Sequence, residues 1–126
     1  MMVVDMEKIL IVEDQQDVQN LLKVALAKPG RMLLHALDAT TGLRLARDEN
    51  PDLVLLDIML PGEMDGFGLL LALREDPQTS GAKIIIVSAR TQDHDQEAAL
   101  NAGADSYITK PFRLSYLKEC IDQALL

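Results

Sequence analysis

An α/β fold, with one doubly wound parallel sheet of five strands and helices on both of its faces, is what three features of the sequence predict. Short apolar runs alternate with stretches of helical periodicity along all 126 residues. The runs at 9–12, 53–56 and 84–87 read Ile-Leu-Ile-Val, Leu-Val-Leu-Leu and Ile-Ile-Ile-Val, unbroken aliphatic segments of the kind that form strands buried on both faces. Each of these runs, and the weaker one at 106–109, stops at side chains able to handle phosphate or metal: Glu13-Asp14, Asp57, Ser88 and Lys110. Parallel neighbours would bring those ends to one edge of the sheet, where open α/β sheets bind ligands.

The elements follow in order. After the first strand, Val18, Leu21, Leu22, Ala25 and Leu26 recur at i, i+3, i+4, i+7 and i+8, one face of a helix. Pro29-Gly30 closes that helix, because neither residue continues one comfortably. Residues 32–36 make a short second strand, and a helix at 40–49 stops before Pro51. The third strand leads through Pro61-Gly62 into a helix at 67–75, closed by Asp76-Pro77. The fourth is followed by a helix at 93–102 that ends at Gly103. A short fifth strand precedes a last helix, marked by Leu114, Leu117, Ile121, Ala124 and Leu125. Strand–helix units of this length join into a parallel sheet through right-handed crossovers. One domain is expected over 1–126, its core starting near residue 7, with no output domain in this chain.

Composition narrows the function. A chain of this size builds a core without disulfides, and with 3% aromatic residues that core is aliphatic. The net charge of −8 disfavours unassisted contact with nucleic acid or an anionic membrane. No apolar stretch approaches the ~20 residues of a membrane span, and the start lacks a signal-peptide profile, so a cytoplasmic protein is expected. The single cysteine, Cys120, rules out a disulfide framework and reads as a buried small hydrophobe. Met6, Met32 and Met64 read as core or gap-filling residues, His35 and His94 as structural or solvent-exposed, and Asp65-Gly66 as a turn and helix start.

Taken in order, Ile-Leu-Ile-Val-Glu-Asp at 9–14, Asp57 closing Pro-Asp-Leu-Val-Leu-Leu, Met64-Asp65-Gly66, Val87-Ser88-Ala89, Ala102-Gly103-Ala104 and Lys110-Pro111-Phe112 form a specific set. The chain resembles the receiver domain of bacterial two-component response regulators, of the chemotaxis-regulator type, over essentially its whole length. The resemblance implies a flavodoxin-like sheet of order 2-1-3-4-5 with five helices. It implies that Asp57 accepts a phosphoryl group from a histidine kinase or phosphotransfer protein, in a reaction that depends on Mg2+. Asp14, Asp57 and the backbone carbonyl of Met59 would bind the metal, with Glu13 acting through a water. Lys110 and Ser88 would each contact a phosphoryl oxygen, and the Lys110–Pro111 bond would be cis. Tyr107 would turn inward as Ser88 moves, changing the surface of the fourth helix, fifth strand and fifth helix for a downstream target or output domain. A homodimer through that surface stays open.

The chemistry agrees with these roles. A carboxylate is a competent nucleophile toward phosphorus and needs no base. Phosphoryl transfer asks mainly for positioning and charge neutralisation. Three clustered carboxylates repel one another unless a cation joins them. Singly, an Asp after a strand is more often a cap or turn former, Ser88 a loop hydroxyl, Lys110 a solvated charge and Tyr107 a half-buried aromatic. The ordered set reverses the first three readings. The expected class is a signalling module that catalyses its own phosphorylation and dephosphorylation, not an enzyme acting on other substrates.

Three rivals stand beside that reading. A phosphorylation-independent interaction domain would not need the full acidic, hydroxyl and lysine set. A haloacid-dehalogenase-type hydrolase expects a second Asp two residues after the nucleophile, where this chain has Met59. A nucleotide-binding protein of the same sheet order would need a Gly-rich loop after the first strand. Two departures from the family pattern are the additional residue in loop 61–66 and the pair Met59 and Arg90 at the rim.

Overall fold

The computed structural model describes residues 6–89 and 92–126. Ten elements alternate along it: β1 (Glu7–Val12), α1 (Gln16–Leu26), β2 (Arg31–Ala36), α2 (Ala39–Glu49), β3 (Leu53–Leu56), α3 (Gly66–Glu75), β4 (Lys83–Ser88), α4 (Asp93–Asn101), β5 (Ser106–Thr109) and α5 (Leu114–Ala124). The strands form one sheet in the order β2-β1-β3-β4-β5, and every pairing is parallel. The expected architecture is therefore the observed one.

Alternation along the central strands divides the core in two, because successive side chains in a strand point to opposite faces. Leu10, Val12, Val54, Leu56, Ile84 and Ile86 meet Ala39 and Ala46 of α2, Leu69, Leu70 and Leu73 of α3, and Ala99 of α4. Ile9, Ile11, Leu53, Leu55, Ile85 and Val87 meet Leu22 and Leu26 of α1 and Leu117 and Ile121 of α5. Burial on both faces explains why the three central strands read as unbroken aliphatic runs. The edge strands differ: most of β2, and all of β5 but Ile108, are only partly covered.

Helix boundaries have local causes. Asp38 caps α2 by accepting the Thr41 amide at 2.7 Å, and Asp65 caps α3 by accepting that of Gly68 at 2.8 Å. Asn50 ends α2 in a left-handed conformation, φ 49°, which Asn tolerates better than most residues. Side-chain placement departs from the expected pattern at several points. Leu21 of α1 is 54% exposed, and the buried line of that helix runs through Gln19, Leu22 and Leu26. Met6 is exposed, and Cys120 is half-buried at the edge of the α1/α5 core. His35 and His94 are exposed, as expected.

Candidate functional site

β1 and β3 are neighbours, so their carboxyl ends set Glu13 and Asp14 beside Asp57. The main chain fixes this juxtaposition, since the Asp57 amide donates to the Val12 carbonyl at 3.1 Å and the Glu13 amide to that of Ala36 at 3.1 Å. Glu13 and Asp57 are 3% and 7% exposed, whereas Asp14 reaches solvent. One carboxylate oxygen from each of the three lies within 4.8 Å of the others. That donor set, three hard oxygens of which one faces solvent, fits a small divalent cation that keeps some of its waters.

Lys110 enters from the far side of the site. Its amide donates to the Ser88 carbonyl at 2.8 Å, which ties the end of β5 to the end of β4. The Lys110–Pro111 bond is cis. The Lys110 Nζ donates to Glu13 Oε1 at 2.7 Å and to Asp57 Oδ2 at 3.0 Å, and the remaining Asp57 oxygen, Oδ1, accepts the Met59 amide at 2.9 Å. Both oxygens of Asp57 are thus engaged by donors of the chain itself.

Burial shapes the charges. It pushes the Glu13 carboxyl above its ordinary value, and the hydrogen bond from Lys110 only partly offsets this. Burial also works against the Lys110 ammonium, but its hydrogen bonds to Glu13 and Asp57 outweigh that penalty and hold it above its ordinary value. Those directions are compatible: the ammonium stays charged and serves as the counter-ion of a crowded acidic cluster.

Gly66 presses the start of α3 against the site. Its amide donates to the Ile58 carbonyl at 3.0 Å. A Cβ there would run into the Asp57 carbonyl oxygen and come within 2.5 Å of the Ile58 Cα. Ser88 is fully buried at the end of β4. Tyr107, paired in register with Ile86, is half-buried against the core on the α2/α3/α4 face. The sheet therefore gathers Glu13, Asp14, Asp57, Ser88 and Lys110 at one edge, with Met59 just beyond β3 and Tyr107 inside β5. Arg90 lies outside the described residues.

One residue of the site's frame escaped the sequence reading. Gln19, fully buried in α1, directs its Nε2 at the carbonyls of Ile11 and Ala36, each at 2.9 Å, and of Glu13 at 3.2 Å. The available signal was a polar residue at i relative to Leu22 at i+3 and Leu26 at i+7, in the middle of a buried helical line.

The comparisons with known proteins point the same way as this geometry. The model of the response regulator receiver domain matches residues 9–122. The KDP operon transcriptional regulatory protein KdpE of Escherichia coli is 39% identical over 120 residues, covering 95% of this chain and 52% of that protein. The chain thus spans about half the length of that relative and of two further transcriptional regulators. Protein PilH of Pseudomonas aeruginosa is 38% identical over 120 residues, covering 95% of this chain and 98% of that protein. Among solved structures, a CheY-like receiver domain protein from Methanospirillum hungatei superposes with a TM-score of 0.88 at 34% identity, covering 96% of this chain and 94% of that one. The receiver domain of a sensor histidine kinase from Pseudomonas aeruginosa, with a magnesium ion coordinated in its active site cleft, gives 0.85 at 27% identity over 95% and 98% of the two chains. With the strand order, the acidic cluster and this family match in agreement, the chain belongs to the response regulator receiver domains of two-component signalling.

Proposed function

We propose that Asp57 is the phosphoacceptor of this receiver and that Asp14, Asp57 and the Met59 carbonyl bind Mg2+ directly, with Glu13 acting through a water. One observation carries the reading: a single ammonium, Lys110 Nζ, spans Glu13 and Asp57 inside a cluster whose three carboxylates converge within 4.8 Å. Such a cluster is charged for a divalent cation, and Lys110 remains beside it to meet the anion that arrives with the phosphoryl group. In the forward step the P–N bond of a phosphohistidine breaks, its electron pair stays on the imidazole nitrogen, and an Asp57 carboxylate oxygen forms the new P–O bond. Bound Mg2+ supplies charge neutralisation at the phosphoryl oxygens. Lys110 holds one of those oxygens by a charge-assisted hydrogen bond, and the Ser88 hydroxyl donates to another. Hydrolysis of the acyl phosphate resets the site, so the protein acts on itself.

The phosphodonor in this reading is a histidine kinase or phosphotransfer protein, which meets the site at the solvent-facing edge where Asp14 is exposed. No helix among the described residues is long and apolar enough to cross a membrane, and we place the reaction in the cytoplasm. Output passes through α4, β5 and α5: Ser88 moves toward the phosphoryl group and Tyr107 turns inward, so phosphorylation favours one of two packings. A downstream protein or an output domain reads that surface.

The test is intact mass after incubation with acetyl phosphate, with and without Mg2+, for the wild type and Asp57→Asn. A Mg2+-dependent phosphoryl adduct on the wild type alone is expected. An adduct that persists in Asp57→Asn would reassign the acceptor. A wild type that takes up neither phosphoryl group nor Mg2+ would favour a phosphorylation-independent interaction domain. The switch is checked by amide exchange with beryllofluoride present, expected to change across residues 93–112; unchanged exchange there would remove Ser88 and Tyr107 from the output path.

A further inference from the structure

Gln19 is an unusual core residue. It sits in the second turn of α1, wholly inside the protein, between the apolar positions that pack this helix on the sheet. Its amide nitrogen faces three main-chain carbonyls: Ile11 and Ala36 at 2.9 Å and Glu13 at 3.2 Å. The NH2 group has two protons, so the two shorter contacts take one each and the Glu13 carbonyl shares. Because all three partners are acceptors, the amide has one workable orientation. In that orientation Oε1 points away, buried and without a hydrogen-bond partner among the described residues. A buried orphan acceptor is a cost, and a methionine of similar length would fill the same space without it. The residue is therefore accounted for by what its donors hold.

What they hold is the frame of the acidic cluster. Ile11 and Glu13 flank Val12, and the Val12 carbonyl is the acceptor for the Asp57 amide at 3.1 Å. Ala36 is the last residue of β2 in register with β1, and its carbonyl also accepts the Glu13 amide at 3.1 Å. The Gln19 amide thus fastens the end of β1 on both sides of the residue that holds Asp57, at the point where the β1–β2 pairing runs out. Immediately beyond that point the chain must present the Glu13 and Asp14 carboxylates to a common centre.

We propose that Gln19 is a positioning residue for the cation site: through the carbonyls of Ile11, Glu13 and Ala36 it fixes where the oxygens of Glu13, Asp14 and Asp57 converge. This rests on the Mg2+ reading given above. A metal tolerates little error in ligand placement, and outer groups that orient ligands typically change metal affinity by about 10- to 100-fold when removed. Gln19 touches neither the metal nor the phosphoryl group; it acts through the main chain.

The deciding comparison is wild type against Gln19→Met, which keeps length and approximate volume and removes all three hydrogen bonds. Mg2+ affinity is measured by calorimetry, and amide exchange is followed in the metal-free proteins. The expected result is Mg2+ binding weakened about tenfold or more, with faster exchange confined to the amides of Glu13 and Asp57, which bond to the Ala36 and Val12 carbonyls, while those of β4 keep their protection. Equal affinity in the two proteins overturns the proposal. So does weaker binding accompanied by uniform loss of protection across the sheet, since that marks a residue serving only general stability. Should Gln19→Met be unfolded in plain buffer, both proteins are compared in sucrose, which favours the compact state, with the same criteria. The wild-type arm separates the two claims: if the wild type binds no Mg2+, the metal reading fails and this proposal falls with it, whereas a wild type that binds beside an unaltered Gln19→Met removes Gln19 alone.

Discussion

Lys110 pairs with two of the three clustered carboxylates, Glu13 and Asp57. Its Nζ is the cation between them, so a metal ion bound at the cluster would share it with Lys110. Lys110→Met removes that competing charge, and Mg2+ affinity is expected to rise on the order of tenfold, the equivalent of ~1.4 kcal/mol, while phosphoryl transfer falls; calorimetry and the mass assay read the two effects separately. Glu13 supplies a pH dependence. Its carboxyl titrates above the ordinary 4.5 because of burial, so the folded site takes up a proton there before an exposed Glu would. Mg2+ affinity is therefore expected to decline, as pH falls, from a point above 4.5, and in Glu13→Gln this early part of the decline should vanish. Stability follows the opposite sign: a raised carboxyl favours the fold at low pH and loses that contribution as pH rises through the raised value. The sequence displayed every one of these charged residues, because each stands at the end of an apolar run. It did not display Gln19, because the face of α1 was assigned from apolar residues alone. Leu21 was placed on that face and is exposed, while the polar residue on the true line was passed over.

Among elements, α3 lies directly against the backbone of the site at Asp57 and Ile58. Gly66 lets its first turn lie on the Asp57 and Ile58 backbone, where a Cβ has no room. Gly66→Ala is expected to cost about 1–3 kcal/mol as an overpacking change and to impair phosphorylation beyond what that loss explains, as checked by denaturant unfolding beside the mass assay. A normal phosphorylation rate in a destabilised Gly66→Ala would separate α3 from the chemistry. The cap of α2 gives a contrasting case, far from catalysis. The hydrogen bond from the Thr41 amide holds Asp38 below the ordinary Asp value, so its contribution is present above that ordinary value and disappears as pH falls through the lowered one. Asp38→Ala is expected to cost about 1 kcal/mol near neutral pH and progressively less in acid, with Mg2+ affinity unchanged. Helix positions were legible from caps and breakers such as Asp65, Gly103 and Pro51. Strand exposure was less so: the 106–109 run resembles the central strands in its ending at Lys110, yet only Ile108 of β5 is fully covered, since an edge strand lacks a neighbour on one side.

At the scale of the molecule, the proposed Mg2+ binding would be linked to folding. A ligand that binds only the folded state stabilises it by about 2.7 kcal/mol at 100 times its dissociation constant. Mg2+ is accordingly expected to raise the unfolding midpoint of the wild type reversibly with chelator, to do so less in Gln19→Met, and to have little effect on Asp14→Ala; an equal rise in all three would mean that the ion acts on the general negative charge and not at this site. The fold class was legible because apolar strand runs alternate five times with helical periodicity, which leads to a parallel sheet; the strand order came from the resemblance to receiver domains. Tertiary hydrogen bonds such as those of Arg74 were not legible. Its guanidinium reaches the carbonyls of Gly103 at 2.9 Å and Ala82 at 2.5 Å and the Asp105 carboxylate at 2.9 Å, joining α3 to the residue just before β4 and, across 29 and 31 positions of sequence, to the α4–β5 turn.

Met59 has an optical consequence. The chain contains no tryptophan, so nothing in it emits strongly in the near ultraviolet on excitation at long wavelengths. The Met59 side chain is 51% exposed at the rim, while its amide is tied to Asp57 Oδ1. An indole placed there by Met59→Trp would be the sole such emitter, anchored one hydrogen bond from the Asp57 carboxylate yet standing in solvent. Its fluorescence would report each arrival at the site in real time.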